Sequence, residues 1–289
     1  MDVKSAQFNH AGTEVVTADS DGSVDLWHAT GSDYSQVHLP TPIHLSGPAL
    51  YASFSPDGSR IAVVTNDDTA QVRSARTGQL LWTLNPNHQF SLSVAVFSPD
   101  GRQILTGDDN GQVEVWNAAT GRKIRVVGVP GSSITDVEYN KSGSKFVTAA
   151  NDGAVTIWAA GNDKRSLPPI NACPSPSTAS FSPDGNKIVV ACENGGALVF
   201  DATTGQQLTV LQAAGAGSVN SAQFSPDGGS IVTAFGAEGA SSGVTGGVRI
   251  WSTELATRSL TALERVAAQR ITRQLTPAER RAYLAGISG

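Results

Sequence analysis

An aromatic residue recurs at a nearly fixed interval along this chain, at Phe8, Phe54, Phe97, Tyr139, Phe181 and Phe224, with spacings of 46, 43, 42, 42 and 43 residues. A period of roughly 20–50 residues marks a chain of stacked supersecondary units, none of which buries its apolar face alone. After each of the first five aromatics a second marker follows 19 positions later: Trp27, Arg73, Trp116, Trp158 and Phe200. Trp251 follows Phe224 after 27, so the sixth unit carries an eight-residue insertion. The insertion falls within residues 235–247, where small residues suit a long hairpin.

Between the markers each unit reads as strand, turn, strand, glycine-containing turn and strand, as in VAVFSPDGRQILTGDDNGQVEVW. FSPDG occurs four times, at 54–58, 97–101, 181–185 and 224–228. Its proline presets φ, its aspartate can accept from nearby backbone N–H groups, and its glycine supplies the positive φ that closes the turn. The second turn carries Asp21-Gly22, Asn110-Gly111, Asp152-Gly153 and Asn194-Gly195, dipeptides that favour type I′ hairpins. A fourth strand follows a Thr-Gly pair in several units: QLLWTL after Gly78, RKIRVV after Gly121 and QQLTVL after Gly205. Four strands in about 43 residues make one blade of a β-propeller.

With FSPDG, DGSVDLW, DGAVTIW and the variant NGQVEVWNAATG, the chain resembles the WD40-repeat family over nearly all of residues 3–257. The resemblance implies an all-β, WD40-type β-propeller with six repeat units, as six blades or as part of a seven-bladed ring. The units lie near 1–43, 44–88, 89–130, 131–171, 172–214 and 215–257. It also implies a buried relay in each blade from a His through a hydroxyl and a turn Asp to the Trp indole, satisfying polar groups that burial would leave unpaired. The third unit comes nearest, with His88, Thr106, Asn110 in the Asp slot, and Trp116. Thr17, Asp21 and Trp27, and Thr148, Asp152 and Trp158, supply three of the four positions in the first and fourth units. Val63/Arg73 and Val190/Phe200 lose most of it in the second and fifth.

Residues 258–289 change period. Leu263, Val266, Ala267, Arg270, Ile271 and Leu275 fall near one helical face, Thr261 and Glu264 form a capping box, and Thr276-Pro277-Ala278-Glu279 starts a second helix. A short helical tail is expected, capping the last blade or docking elsewhere. RVAAQRITRQLTPAERRAYL resembles the tail that follows WD40 repeats in bacterial STAND-type signalling ATPases, implying a sensor end of such a protein. The phosphate-binding motif GxxxxGK[ST] is missing.

Net charge is −5, but six Arg and two Glu from Arg258 onward leave −9 on residues 1–257. An acidic body is a poor match for phosphate backbones, so nucleic acid is not an expected partner. No apolar run approaches the 18 or so residues of a membrane span, and MDVKSAQFNHAG has no signal-like pattern, so a cytoplasmic chain without a membrane partner is expected. In that compartment Cys173 and Cys192 are expected to be free thiols.

His10, His28, His38, His44 and His88 are scattered, no GxSxG elbow occurs, and Asp19-Ser20-Asp21-Gly22 and Asp108-Asp109-Asn110-Gly111 read as turns, not calcium loops. The sequence therefore points to a non-catalytic scaffold or sensor module that binds protein partners, with no catalytic, metal or cofactor residues. Two rival readings stand: an enzyme or ligand-binding propeller with a site in its channel, and an incomplete propeller that must associate.

Overall fold

A computed structural model describes residues 2–31, 34–84, 90–128, 131–193, 196–212, 218–236 and 246–253. They form six antiparallel sheets, each a meander in chain order, and no helical element. The first holds β1 (Val3–Phe8), β2 (Glu14–Asp19) and β3 (Ser23–His28), its outer strand split into β4 (Gln36–Val37) and β5 (Ile43–His44). The second holds β6 (Ala49–Phe54), β7 (Arg60–Thr65), β8 (Ala70–Ser74) and β9 (Leu80–Leu84), and the third β10 (Leu92–Phe97), β11 (Gln103–Asp108), β12 (Gln112–Asn117) and β13 (Lys123–Gly128). The fourth holds β14 (Ile134–Tyr139), β15 (Lys145–Ala150) and β16 (Ala154–Ala159), again with a split outer strand, β17 (Lys164–Arg165) and β18 (Ile170–Asn171). The fifth holds β19 (Pro176–Phe181), β20 (Lys187–Cys192), β21 (Gly196–Asp201) and β22 (Gln207–Gln212). The sixth holds β23 (Val219–Phe224), β24 (Ser230–Phe235) and β25 (Gly247–Ser252).

Consecutive sheets pack through their first strands: β6 on β1–β3, β10 on β6 and β7, β14 on β10 and β11, β19 on β14–β16, and β23 on β19–β21. This is a six-bladed β-propeller, and the recurring aromatic is its main packing residue. Each of the second to fifth blades buries one face on the blade before it and the opposite face on the blade after. Between the third and fourth, Leu105, Val113 and Val115 meet Tyr139, Phe146 and Trp158. Between the fourth and fifth, Val147, Val155 and Ile157 meet Phe181, Ile188 and Phe200. The same slots recur at every junction, which is why the sequence repeats there.

The FSPDG turns form as their chemistry dictates. Ser55 Oγ bonds Asp57 Oδ1 at 2.6 Å and accepts from the Arg60 amide at 2.9 Å, Gly58 N donates to Ser55 O at 2.8 Å, and Gly58 has φ of 69°. In the first and fourth blades Asn9 and Asn140 take the serine slot, their Oδ1 atoms accepting from Thr13 and Lys145 amides.

Three expectations change. The Asp21-Gly22, Asn110-Gly111 and Asp152-Gly153 turns are not type I′, because only the glycines have positive φ; Gly22 N bonds Asp19 O at 3.0 Å in a type I turn closed by a left-handed glycine. A side chain at Gly22 would also meet the Leu45 and Gly47 carbonyls at 2.7 Å. Cys173 and Cys192 are bridged, not free: the end of the fourth blade's outer segment lies beside the end of β20, with Cα atoms 6.2 Å apart. The expectation of free thiols rested on compartment alone, whereas the fold brings the pair within bonding distance. The fourth strand breaks in two in the first and fourth blades. His88, Asn194-Gly195, most of the insertion and the tail of residues 258–289 lie outside the described residues.

Candidate functional site

The meander separates the turns into two ends. Turns joining first to second and third to fourth strands lie at one end; turns joining second to third strands, and the links between blades, lie at the other. Leu45 N, in the link after the first blade, bonds Gly22 O at 2.8 Å, and Gly131 N bonds Asn110 O at 2.8 Å. At this second end the sequence supplies Asp19, Asp21, Asp67, Asp68, Asp108, Asp109, Asp152 and Glu193. Among the described residues of those turns and links there is no Lys or Arg.

Some of these carboxylates build the turns and others face water. Asp108 is buried and accepts from the Asn110 and Gln112 amides at 3.0 and 2.8 Å. Burial raises its pKa, and the nearby Glu114 and Asp109 charges add to the rise. Burial likewise raises Asp19, with Asp21 and Asp25 adding to it. The Ser23 hydroxyl and amide bonds instead hold Asp21 below the usual carboxylate range. Asp21, Asp67, Asp109, Asp152 and Glu193 are exposed, giving an acidic rim. A shallow cleft of about 220 Å³ opens there between the first two blades, lined by Leu45, Ser46, Gly47, Thr65, Asn66, Asp67 and Gln71. It is smaller than the ordinary small-molecule site of roughly 300–1,000 Å³.

The second candidate is the wall of the central channel, formed by the first strand of each blade. Asp136 and Glu138 lie two residues apart on β14, hence on one face. Asp136 Oδ2 accepts from Ala179 N at 3.0 Å and Glu138 Oε1 from Phe181 N at 3.1 Å. Both keep some exposure to the channel, yet the surrounding protein is close enough for burial to dominate. Burial pushes Asp136 up to about 6, and burial with the Asp136 charge pushes Glu138 up to about 8. Its own burial and the same two charges raise the Tyr51 phenol far above its ordinary value, while the Gln7 amide donates to its oxygen. Sequence reasoning missed this group because residues from three blades contribute to it; the alternation Asp-Val-Glu in a first strand was the available signal.

The channel carboxylates are structurally committed. A first strand has a free edge toward the channel, and side chains of the preceding blade satisfy it. Ser5 Oγ accepts from Ala52 N, Ser53 Oγ donates to Ala95 O, Ser177 Oγ donates to Val219 O and Thr178 Oγ1 accepts from Ala222 N. Asp136 and Glu138 do this work between the fourth and fifth blades.

Among the described residues the expected relay is brought together in its Trp–Thr half; His88 lies outside them. Trp27, Trp116 and Trp158 donate to Thr17, Thr106 and Thr148 at 3.1, 2.9 and 3.1 Å. Trp251 donates to Thr233 at 3.0 Å, a pair hidden in the sequence by the insertion. Asp21 and Asp152 instead accept from the amides of Ser23 and Ala154, two residues on. In the third blade Asp108, not Asn110, takes the turn amides. Arg73, in the Trp slot of the second blade, bonds Gln71 Oε1 and Gly78 O, both at 2.9 Å. No group of three or more His, Cys, Asp or Glu side chains arranged to hold a metal ion occurs among the described residues.

The family PQQ_2, described as outer membrane protein assembly factor BamB, matches residues 20–286. No curated protein matches the chain.

Proposed function

The chain belongs to the family of outer membrane protein assembly factor BamB, and from that premise we propose a non-catalytic protein-binding platform whose acidic end docks a basic surface of its partner. One observation carries the reading: among the described residues every charged residue in the second-to-third-strand turns is acidic, and five of those carboxylates are exposed. Such a surface steers a partner rich in Lys and Arg and orders little on binding. The charged groups of the channel are engaged in holding neighbouring blades, which supports binding over catalysis.

Within the family we read the repeats as WD40-type, supported by the Thr–Trp bonds of four blades and the FSPDG turns. The likeness of residues 265–284 to STAND-type tails supports a sensor role in a larger signalling protein. The Cys173–Cys192 bridge is of the kind that persists in oxidising compartments, which weighs against the cytoplasmic location expected from the sequence.

The test is affinity capture from the source cell's lysate with the intact chain and with Asp109→Lys/Glu193→Lys, read by mass spectrometry. A basic protein retained by the first and lost from the second supports the reading. Equal retention by both moves binding elsewhere, and capture of nothing specific overturns the platform.

A further inference from the structure

The repeat makes the junction of the first two blades directly comparable with that of the fourth and fifth. Ser46 and Thr65 stand at the same offsets from Phe54 as Cys173 and Cys192 do from Phe181. The backbone keeps this register. Leu45 N bonds Gly22 O and Asn66 N bonds Pro48 O at the first of these junctions; Ala172 N bonds Gly153 O and Glu193 N bonds Ser175 O at the second. Between the fourth and fifth blades a disulfide spans the position, with Cys192 buried. Between the first and second, hydroxyl side chains hold both slots, and the cleft of about 220 Å³ opens beside them.

The lining of that cleft suits a long cationic side chain. Ser46, Asn66 and Gln71 offer it hydroxyl and amide oxygens, Asp67 a carboxylate, and Leu45 one apolar wall. The lining carries one formal charge, and that charge is negative. Asp67 is held in place by the cleft's own elements: the Thr65 and Thr69 hydroxyls and the Thr69 amide all donate to its Oδ1. A Lys or Arg side chain matches both kinds of surface at once, laying its alkyl stem on Leu45 and its charged head among the oxygens. An anionic group would meet the Asp67 charge instead, and the volume is below that of an ordinary small-molecule site.

We propose that the cleft between the first and second blades is the anchor socket of the docking surface and takes one Arg or Lys side chain of the basic partner. The socket rests on the docking reading above and deepens it. The exposed carboxylates around the end steer the partner, and the cleft gives it a fixed point of attachment.

The test closes the cleft without changing its charge. The probe is a dye-labelled octa-arginine peptide, titrated into the full chain by fluorescence anisotropy at an ionic strength of about 0.1 M. Ser46 is exposed, so Ser46→Trp fills the cleft from its rim. Ser46→Cys/Thr65→Cys copies the Cys173–Cys192 pair, and its bridge, confirmed by mass, closes the cleft from within. Each closure is expected to weaken binding of the peptide about fivefold or more, the scale of one charge-assisted contact. If either closed form binds the peptide as the unaltered chain does, the socket is overturned; a loss of binding with Asp109→Lys/Glu193→Lys, which lie outside the cleft, then still supports the docking surface. If the unaltered chain shows no saturable binding of the peptide, the docking reading falls and the socket with it.

Discussion

The substitution Glu138→Gln removes most of the pH dependence of stability that the channel wall imposes. Glu138 is crowded by burial and by Asp136, which push its pKa up to about 8 from an unfolded value of about 4.3. Between these two values the folded chain holds the proton more firmly than the unfolded chain, so stability falls as pH rises through the window and levels off above it. At about 1.4 kcal/mol per pH unit the full shift corresponds to an upper bound of about 5 kcal/mol. Channel water screens part of this, leaving an expected loss of about 2–3 kcal/mol between about pH 5 and pH 8.5. Asp136, raised to about 6, contributes only in the lower half of the window. The glutamine side chain is neutral throughout and keeps an acceptor oxygen for the Phe181 amide. Urea unfolding at about pH 5, 7 and 8.5 reads the difference. The variant matches the wild type near pH 5 and is more stable near pH 8.5 by about 1–3 kcal/mol. Equal pH slopes in the two proteins, or a wild type that gains stability from pH 5 to 8.5, refute the reasoning.

Three further perturbations follow from packing. Gly107→Ala places a Cβ 2.5 Å from Ile134 Cγ2 and 3.1 Å from Val94 Cγ1, between the third and fourth blades, and is expected to cost about 1–3 kcal/mol by urea unfolding. Thr106→Val leaves the buried Trp116 indole N–H without its acceptor and is expected to cost about 1–3 kcal/mol, whereas the same change at the half-buried Thr17 costs less. Reducing the Cys173–Cys192 bridge, or replacing Cys173 by Ser, is expected to lower stability by about 2–4 kcal/mol; thiol titration of the protein as isolated, unfolded without reductant, finds no free thiol.

What the sequence revealed and what it concealed divide along physical lines. Phe97 and Trp116 pack on the preceding blade at slots that recur in other units, and the Ser98-Pro99-Asp100-Gly101 turn closes through contacts at fixed sequence offsets, so their period exposes the sheet. Asp136 works on a backbone 43 residues away and Tyr51 feels the charge of carboxylates from a blade two units on; only the packing of first strands brings them together. Turn type escaped for a local reason, since Asp-Gly serves both a two-residue hairpin and a type I turn ending in a left-handed glycine. The disulfide escaped because the expectation of free thiols rested on compartment and not on where the fold places Cys173 and Cys192. The acidic end was present in the composition, but its concentration on one end became visible only once strand directions were assigned.

The platform's central claim concerns that acidic end, and the association rate of the captured partner as a function of salt tests it most directly. Between about 50 and 300 mM NaCl the rate is expected to fall at least tenfold, as for electrostatically steered association, and Asp109→Lys/Glu193→Lys is expected to flatten the dependence. A rate that does not change with salt, in a complex that the charge reversals leave intact, would contradict the account.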